Sequence, residues 1–159
     1  MVKITVLLVE DNLTIRKIIS YSLMRLGINV VEASDGVEAI EKLYFEKPDL
    51  VLLDVNIQKL SVYAVCTQIK SDPQTEHIPV ILCTSKNQQN DYHEAKKYGV
   101  NGYLSQPFKK SEIMTIISEL GITKLKVSEN KSVPTLKKSS TMRFITLDNN
   151  NYIDVFAYS

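Results

Sequence analysis

Short runs of apolar, mostly β-branched residues alternate with longer segments in which apolar residues recur every three to four positions. Such alternation predicts strands and helices in turn, and runs that are apolar throughout predict a parallel sheet covered on both faces. The first run, Ile4 to Val9, closes on the acids Glu10 and Asp11. Asn12 is placed to cap a helix whose Ile15, Ile18, Ile19, Leu23 and Leu26 recur at three-to-four spacing, and Gly27 supplies its stop. A strand over Asn29 to Ala33 follows. Ser34 or Asp35 then opens a helix with Val37, Ile40 and Leu43 inward, ending near Pro48.

The third strand, Leu50 to Asp54, is apolar until its final acid. Val62 to Ile69 predicts the third helix, Val80 to Thr84 the fourth strand, and Asn90 to Tyr98 a fourth helix stopping at Gly99. Gly102 to Leu104 is a short fifth strand and Lys110 to Leu120 a fifth helix. The fold class is therefore α/β: a doubly wound, flavodoxin-like (βα)5 domain whose ligands sit beyond the carboxyl ends of its five parallel strands.

Past Gly121 the pattern decays. Residues 1–121 form the predicted domain and 122–142, rich in Lys and Ser, a solvated linker. Residues 143–159 place Arg143 to Leu147 and Tyr152 to Phe156 on either side of Asp148-Asn149-Asn150-Asn151, a pattern for a β-hairpin or, undocked, a disordered tail.

Charge narrows the function. The chain has 19 Lys plus Arg against 18 Asp plus Glu, a net charge of +1 that argues for neither nucleic acid nor membrane as a partner. By position, residues 1–120 hold 13 basic and 15 acidic side chains, and the other 6 and 3 make the tail mildly basic. Cys66 and Cys83 both fall in apolar segments, which fits buried thiols in a reducing compartment. The opening run is too short to span a bilayer, and the expected location is cytoplasmic. His77 and His93 have no second histidine at metal-ligand spacing and are expected at the surface.

The chemistry gathers at the strand ends. If strands one and three are neighbours, Glu10, Asp11 and Asp54 meet at one edge. Carboxylates brought together raise one another's pKa unless a cation sits among them, and hard oxygen ligands suit Mg²⁺.

Leu8-Val9-Glu10-Asp11-Asn12, Leu50-Val51-Leu52-Leu53-Asp54-Val55, Thr84-Ser85 and Gly102-Tyr103-Leu104 before Pro107-Phe108 resemble, in order and spacing, the receiver domain of two-component response regulators. The likeness covers residues 1 to about 120 and is nearest to single-domain, chemotaxis- or motility-type regulators. It implies a cytoplasmic phosphorelay module. Asp54 would be the phosphoacceptor, taking a phosphoryl group from a histidine kinase. Asp11, Asp54 and the Asn56 carbonyl would hold Mg²⁺, with Glu10 acting through its water shell, and Thr84 and Tyr103 would form the switch. The output would be binding of a downstream protein target through the face of the fourth helix, fifth strand and fifth helix, and a homodimer is left open.

Two departures stand out. Gln106 occupies the position before Pro107 where the family carries a lysine, and Gln brings no charge. The loop Ile57-Gln58-Lys59-Leu60-Ser61 lacks the family's Pro and Gly, and Lys59 is read there as a solvated loop lysine. These departures favour an alternative, a pseudo-receiver that binds partners without phosphorylation. A phosphohydrolase built on Asp54 lacks a visible general acid, so an enzyme is not expected. A transcription factor is disfavoured because no helix-turn-helix pattern follows Leu120.

Overall fold

The five apolar runs form β1 (Thr5–Val9), β2 (Asn29–Ala33), β3 (Leu50–Asp54), β4 (Val80–Thr84) and β5 (Gly102–Ser105). They pair in parallel in the order β2-β1-β3-β4-β5. The order reverses direction between β1 and β3, and the register that sets Val9 beside Leu53 brings Glu10 level with Asp54. A cluster of acids distant in sequence is thereby made at one sheet edge. The computed structural model describes residues 3–84 and 93–122, together with the backbone of 142–143 and 153–157.

Side chains alternate across the sheet with the period of two that a strand imposes. Leu7, Val9, Val51, Leu53, Val80 and Leu82 form one face, packed against α2 (Gly36–Glu46) and α3 (Val62–Ser71) through Leu43, Val65 and Ile69. Val6, Leu8, Leu50, Leu52, Ile81 and Leu104 form the other, packed against α1 (Leu13–Met24) and α5 (Lys110–Glu119) through Ile19, Leu23, Ile113 and Ile116. The described part of the intervening helical segment, 93–98, is taken as α4; it closes as the 3₁₀ turn Lys96–Tyr98 and stops at Gly99 with φ 84°.

Helix boundaries follow local chemistry. Asn12 Oδ1 accepts from Ile15 N at 3.0 Å, Asp35 Oδ1 from Glu38 N at 2.9 Å and Ser61 Oγ from Ala64 N at 3.1 Å, each satisfying an otherwise orphaned N–H. Gly27 turns α1 into β2 at φ 80°. Asp35, not Ser34, is the cap of α2.

Burial departs from periodicity on two helices. Ile15 and Ile18 are exposed, Ile18 by 62%, as are Leu13, Tyr21 and Met24, so α1 carries an apolar stripe wider than the sheet can cover. Val37, at the first turn of α2, also faces solvent. A helix meets the sheet along one line, and apolar residues flanking that line stay wet. Cys66 and Cys83 are buried and free.

Beyond the five-stranded core, β7 (Ile153–Ala157) runs parallel to β5 with Gly102 beside Ile153 and Leu104 beside Val155. The two-residue strand β6 (Met142–Arg143) pairs antiparallel with β7. Ser85, the start of the helix expected from Asn90, the linker over 123–141 and the turn at 148–151 lie outside the described residues. No described helix is long and apolar enough to cross a membrane.

Candidate functional site

The carboxyl ends of β1 and β3 bring Glu10, Asp11 and Asp54 together, with one carboxylate oxygen from each lying within 4.8 Å of the others. Glu10 is buried, Asp54 half-buried and Asp11 exposed. Glu10 is held from three directions: its N–H donates to the Ala33 carbonyl at 3.1 Å, its carbonyl accepts from the Arg16 guanidinium at 2.8 Å, and its Oε1 accepts from Asn12 N at 3.1 Å. Asp54 Oδ1 accepts from Asn56 N at 3.3 Å, the loop turning back over the carboxylate it has just left.

Burial, then the charge of Asp54, pushes the Glu10 carboxyl up to about 7. Burial also raises Asp54, against the lowering effect of the Asn56 N–H, and the two side chains hydrogen-bond each other. Both carboxyls therefore hold a proton more readily than isolated acids do. Three oxygens crowded in this way, with no side-chain cation donating to them among the described residues, form a donor set that fits a hard divalent cation: neutralising charge is what the cluster lacks.

Above the acids sits Thr84, the last residue of β4, one position past the Cys83 that pairs with Asp54. Its Oγ1 is fully buried and has no hydrogen-bond partner among the described residues, which leaves its hydrogen-bonding capacity unused. Gln106 N donates to the Thr84 carbonyl at 2.7 Å, tying the β5–α5 loop to the end of β4. The Gln106 side chain lines a groove of about 370 Å³ with Pro107, Phe108 and the α1 residues Ile15, Ile18 and Ser22. Tyr103 is 1% exposed, within β5.

Two features escaped sequence reasoning. The first is the exposed apolar face of α1 beside the site. Periodicity records an apolar face but not its width, so the spacing of Ile15 and Ile18 carried no sign that they stay exposed. The second concerns Lys59, which is not simply solvated: its Nζ forms a 2.7 Å ion pair with Asp35 Oδ2 across the β3–α3 loop, while the lysine itself stays exposed. The signal available was a Lys standing where a Gly was expected. Burial pushes the Cys66 thiol up to about 12 and that of Cys83 upward as well, so neither is poised as a nucleophile. His77 and His93 are exposed, as expected.

A doubly wound sheet with an acidic cluster at its switch point, an aspartate ending β3 and a buried hydroxyl ending β4 defines a signalling-type α/β domain. Residues 6–118 match the model of the response regulator receiver domain, and the chain belongs to that family. The chain is 36% identical over 108 residues to the alkaline phosphatase synthesis transcriptional regulatory protein PhoP of Bacillus subtilis, covering 68% of this chain and 44% of PhoP. It is 30% identical to protein PilG of Pseudomonas aeruginosa, covering 70% of this chain and 83% of PilG. A crystal structure of the receiver domain of the sensor histidine kinase PA1611 from Pseudomonas aeruginosa, with a magnesium ion coordinated in its active-site cleft, superposes with a TM-score of 0.69 at 29% identity, covering 76% of this chain and 99% of that one. The chain spans about half the length of the first curated relatives it matches. The protein is a response regulator receiver domain of two-component signalling.

Proposed function

We propose that Asp54 accepts a phosphoryl group from the phosphohistidine of a kinase and that the modified domain signals by binding another protein. The observation that carries this reading is the meeting of Glu10, Asp11 and Asp54 at the end of β3, next to the strand that ends in Thr84, whose buried hydroxyl has no hydrogen-bond partner among the described residues.

Asp11 and Asp54, with the Asn56 carbonyl, would hold Mg²⁺, and Glu10 would act through its water shell. When bound, the cation offsets negative charge on the transferring oxygens. The chain's own groups do the rest. Asp54 acts as the nucleophile in its carboxylate form. An Asp54 oxygen then forms the new P–O bond as the N–P bond of the phosphohistidine breaks, its electron pair returning to the imidazole. Thr84 Oγ1 is placed to donate a hydrogen bond to the acquired phosphoryl group, and Tyr103 on the neighbouring strand is the residue positioned to respond. The exposed apolar face of α1, flanking the pocket, suits a helix of the kinase that delivers the phosphohistidine. The face of α4, β5 and α5 would meet the downstream target, in a cytoplasmic setting. Residues 1–121 are the acting unit in this reading, 122–142 a linker and 143–159 an extension at the β5 edge.

Incubation with a small-molecule phosphodonor and Mg²⁺, followed by intact mass, tests this. Wild type should gain one phosphate and Asp54→Asn none. A wild type that binds Mg²⁺ yet gains no phosphate would make the domain a phosphorylation-independent binder.

A further inference from the structure

The loop leaving Asp54 has neither Gly nor Pro between residues 55 and 61, yet its turn requires a left-handed residue, and Lys59 supplies it at φ 68°. For an L-residue with a side chain that conformation is strained, because Cβ crowds the neighbouring carbonyl. Contacts with the β2–α2 turn hold it. Lys59 Nζ lies 2.7 Å from Asp35 Oδ2, and the other oxygen of Asp35 is fixed as the cap of α2. One residue along, Gly36 N donates to the Gln58 carbonyl at 3.0 Å. Leu60 packs so closely over Gly36 that a Cβ there would lie 2.6 Å from Leu60 Cβ. The ion pair draws the Asp35 carboxyl below its usual range, after the Glu38 N–H, and raises Lys59.

We propose that Lys59, tied to Asp35, is a positioning residue: it sets the path of the 55–58 backbone and with it the readiness of the Asn56 carbonyl to complete the acidic pocket. The proposal rests on the reading that this pocket takes a divalent cation. With its lysine end in solvent the pair contributes little to stability, so its value would lie in register. Only Ile57 and Gln58 separate Asn56 from Lys59, and Asn56 N is held by a single 3.3 Å bond to Asp54, so a loop released at Lys59 can shift the ligand end.

The two roles open to a lysine here predict opposite signs. As a bystander cation it repels Mg²⁺, and its removal tightens binding; as a positioning residue its removal weakens binding. The test is Mg²⁺ titration of the full chain, followed through the amide shifts of Asp54 and Asn56, in wild type, Lys59→Met, Lys59→Arg and Lys59→Gly. Lys59→Met is expected to weaken Mg²⁺ about three- to tenfold with shifted Asn56 resonances before metal is added, which corresponds to about 0.6–1.4 kcal/mol. Lys59→Arg should bind like wild type. Lys59→Gly, which adopts the left-handed turn without strain, should fall between, and it serves as the second variant should Lys59→Met lose its fold. Unchanged or tighter binding in Lys59→Met and Lys59→Gly overturns the proposal while leaving the pocket intact. Wild type that does not bind Mg²⁺, or binds it as Asp54→Asn does, overturns the pocket reading and the proposal with it.

Discussion

The two flanks of the acidic pocket are built differently. On the α2 side, the β3–α3 loop is tied to the β2–α2 turn by the Lys59–Asp35 pair, the Gly36 to Gln58 hydrogen bond and the close seating of Leu60. On the β4–β5 side, Thr84 Oγ1 has no hydrogen-bond partner among the described residues, and the residue before Pro107 is the neutral Gln106. One flank spends its polar groups on the resting geometry; the other holds a donor in reserve. Under the proposed function, such a pocket would hold its metal ligands fixed and leave the response to phosphorylation to the far side, and the difference can be broken experimentally at either flank.

The largest effect is expected at Gly36. Gly36→Ala forces a methyl into Leu60 and against Val65, and should cost about 2–3 kcal/mol in chemical denaturation, at the upper part of the usual range for overpacking. A loss within a few tenths would show that the tight flank is loosely held.

Next comes the acidic cluster shared by both flanks. Glu10 and Asp54 are raised in the folded state, so between their unfolded values and about pH 7 the folded protein binds more protons than the unfolded chain. Stability linked to this pair is therefore present at pH 5 and falls as pH rises to 8, by about 1–2 kcal/mol. The depressed acids Glu32, Asp35, Glu38 and Asp72 act the other way, but their contribution is lost below that window, as pH falls through their lowered folded values. Thermal melts across pH should show the decline, and Mg²⁺ or Glu10→Gln should flatten it. An unchanged slope in Glu10→Gln would mean the cluster is not the source.

The looser flank is sharpened by Gln106→Lys. A charge-assisted hydrogen bond to a phosphoryl group is worth roughly 1.5–3 kcal/mol in favourable settings, and Gln cannot supply its charge. The variant should enlarge the chemical-shift response near Tyr103 to a phosphoryl mimic, whereas wild type responds weakly. A large wild-type response that the substitution leaves unaltered would show that this position does not limit switching.

The smallest expected effect is at Thr84. Because its hydroxyl is buried without a partner among the described residues, Thr84→Val should change unmodified stability by less than about 0.5 kcal/mol or raise it slightly. The same variant should shorten the lifetime or weaken the response of the phosphorylated form. A loss above about 2 kcal/mol in the unmodified protein would place Thr84 in the resting network and erase the contrast between the flanks.

The strands and most of the site were legible in the chain because they depend on local rules. Apolar runs bounded by acids, prolines and glycines specify β1 to β5 whatever surrounds them, and Asn12, Asp35 and Ser61 announce helix starts by the hydrogen bond each offers its own backbone. Strand order was not legible in the chain: Glu10, Asp11 and Asp54 were assigned to one edge on the condition that strands one and three are neighbours, and the β1–β3 pairing meets that condition. Tertiary structure alone decided what depends on two distant surfaces meeting. Periodicity marks an apolar face on α1 but not how far the sheet covers it, and only the packed structure leaves Ile15 and Ile18 exposed while Ile19 and Leu23 are buried. A lysine in a loop carries no local mark of the partner that holds it, and only the approach of the β2–α2 turn pairs Lys59 with Asp35. Likewise the raised Glu10 carboxyl is a property of burial beside Asp54, two residues 44 positions apart in sequence that the β1–β3 register brings level.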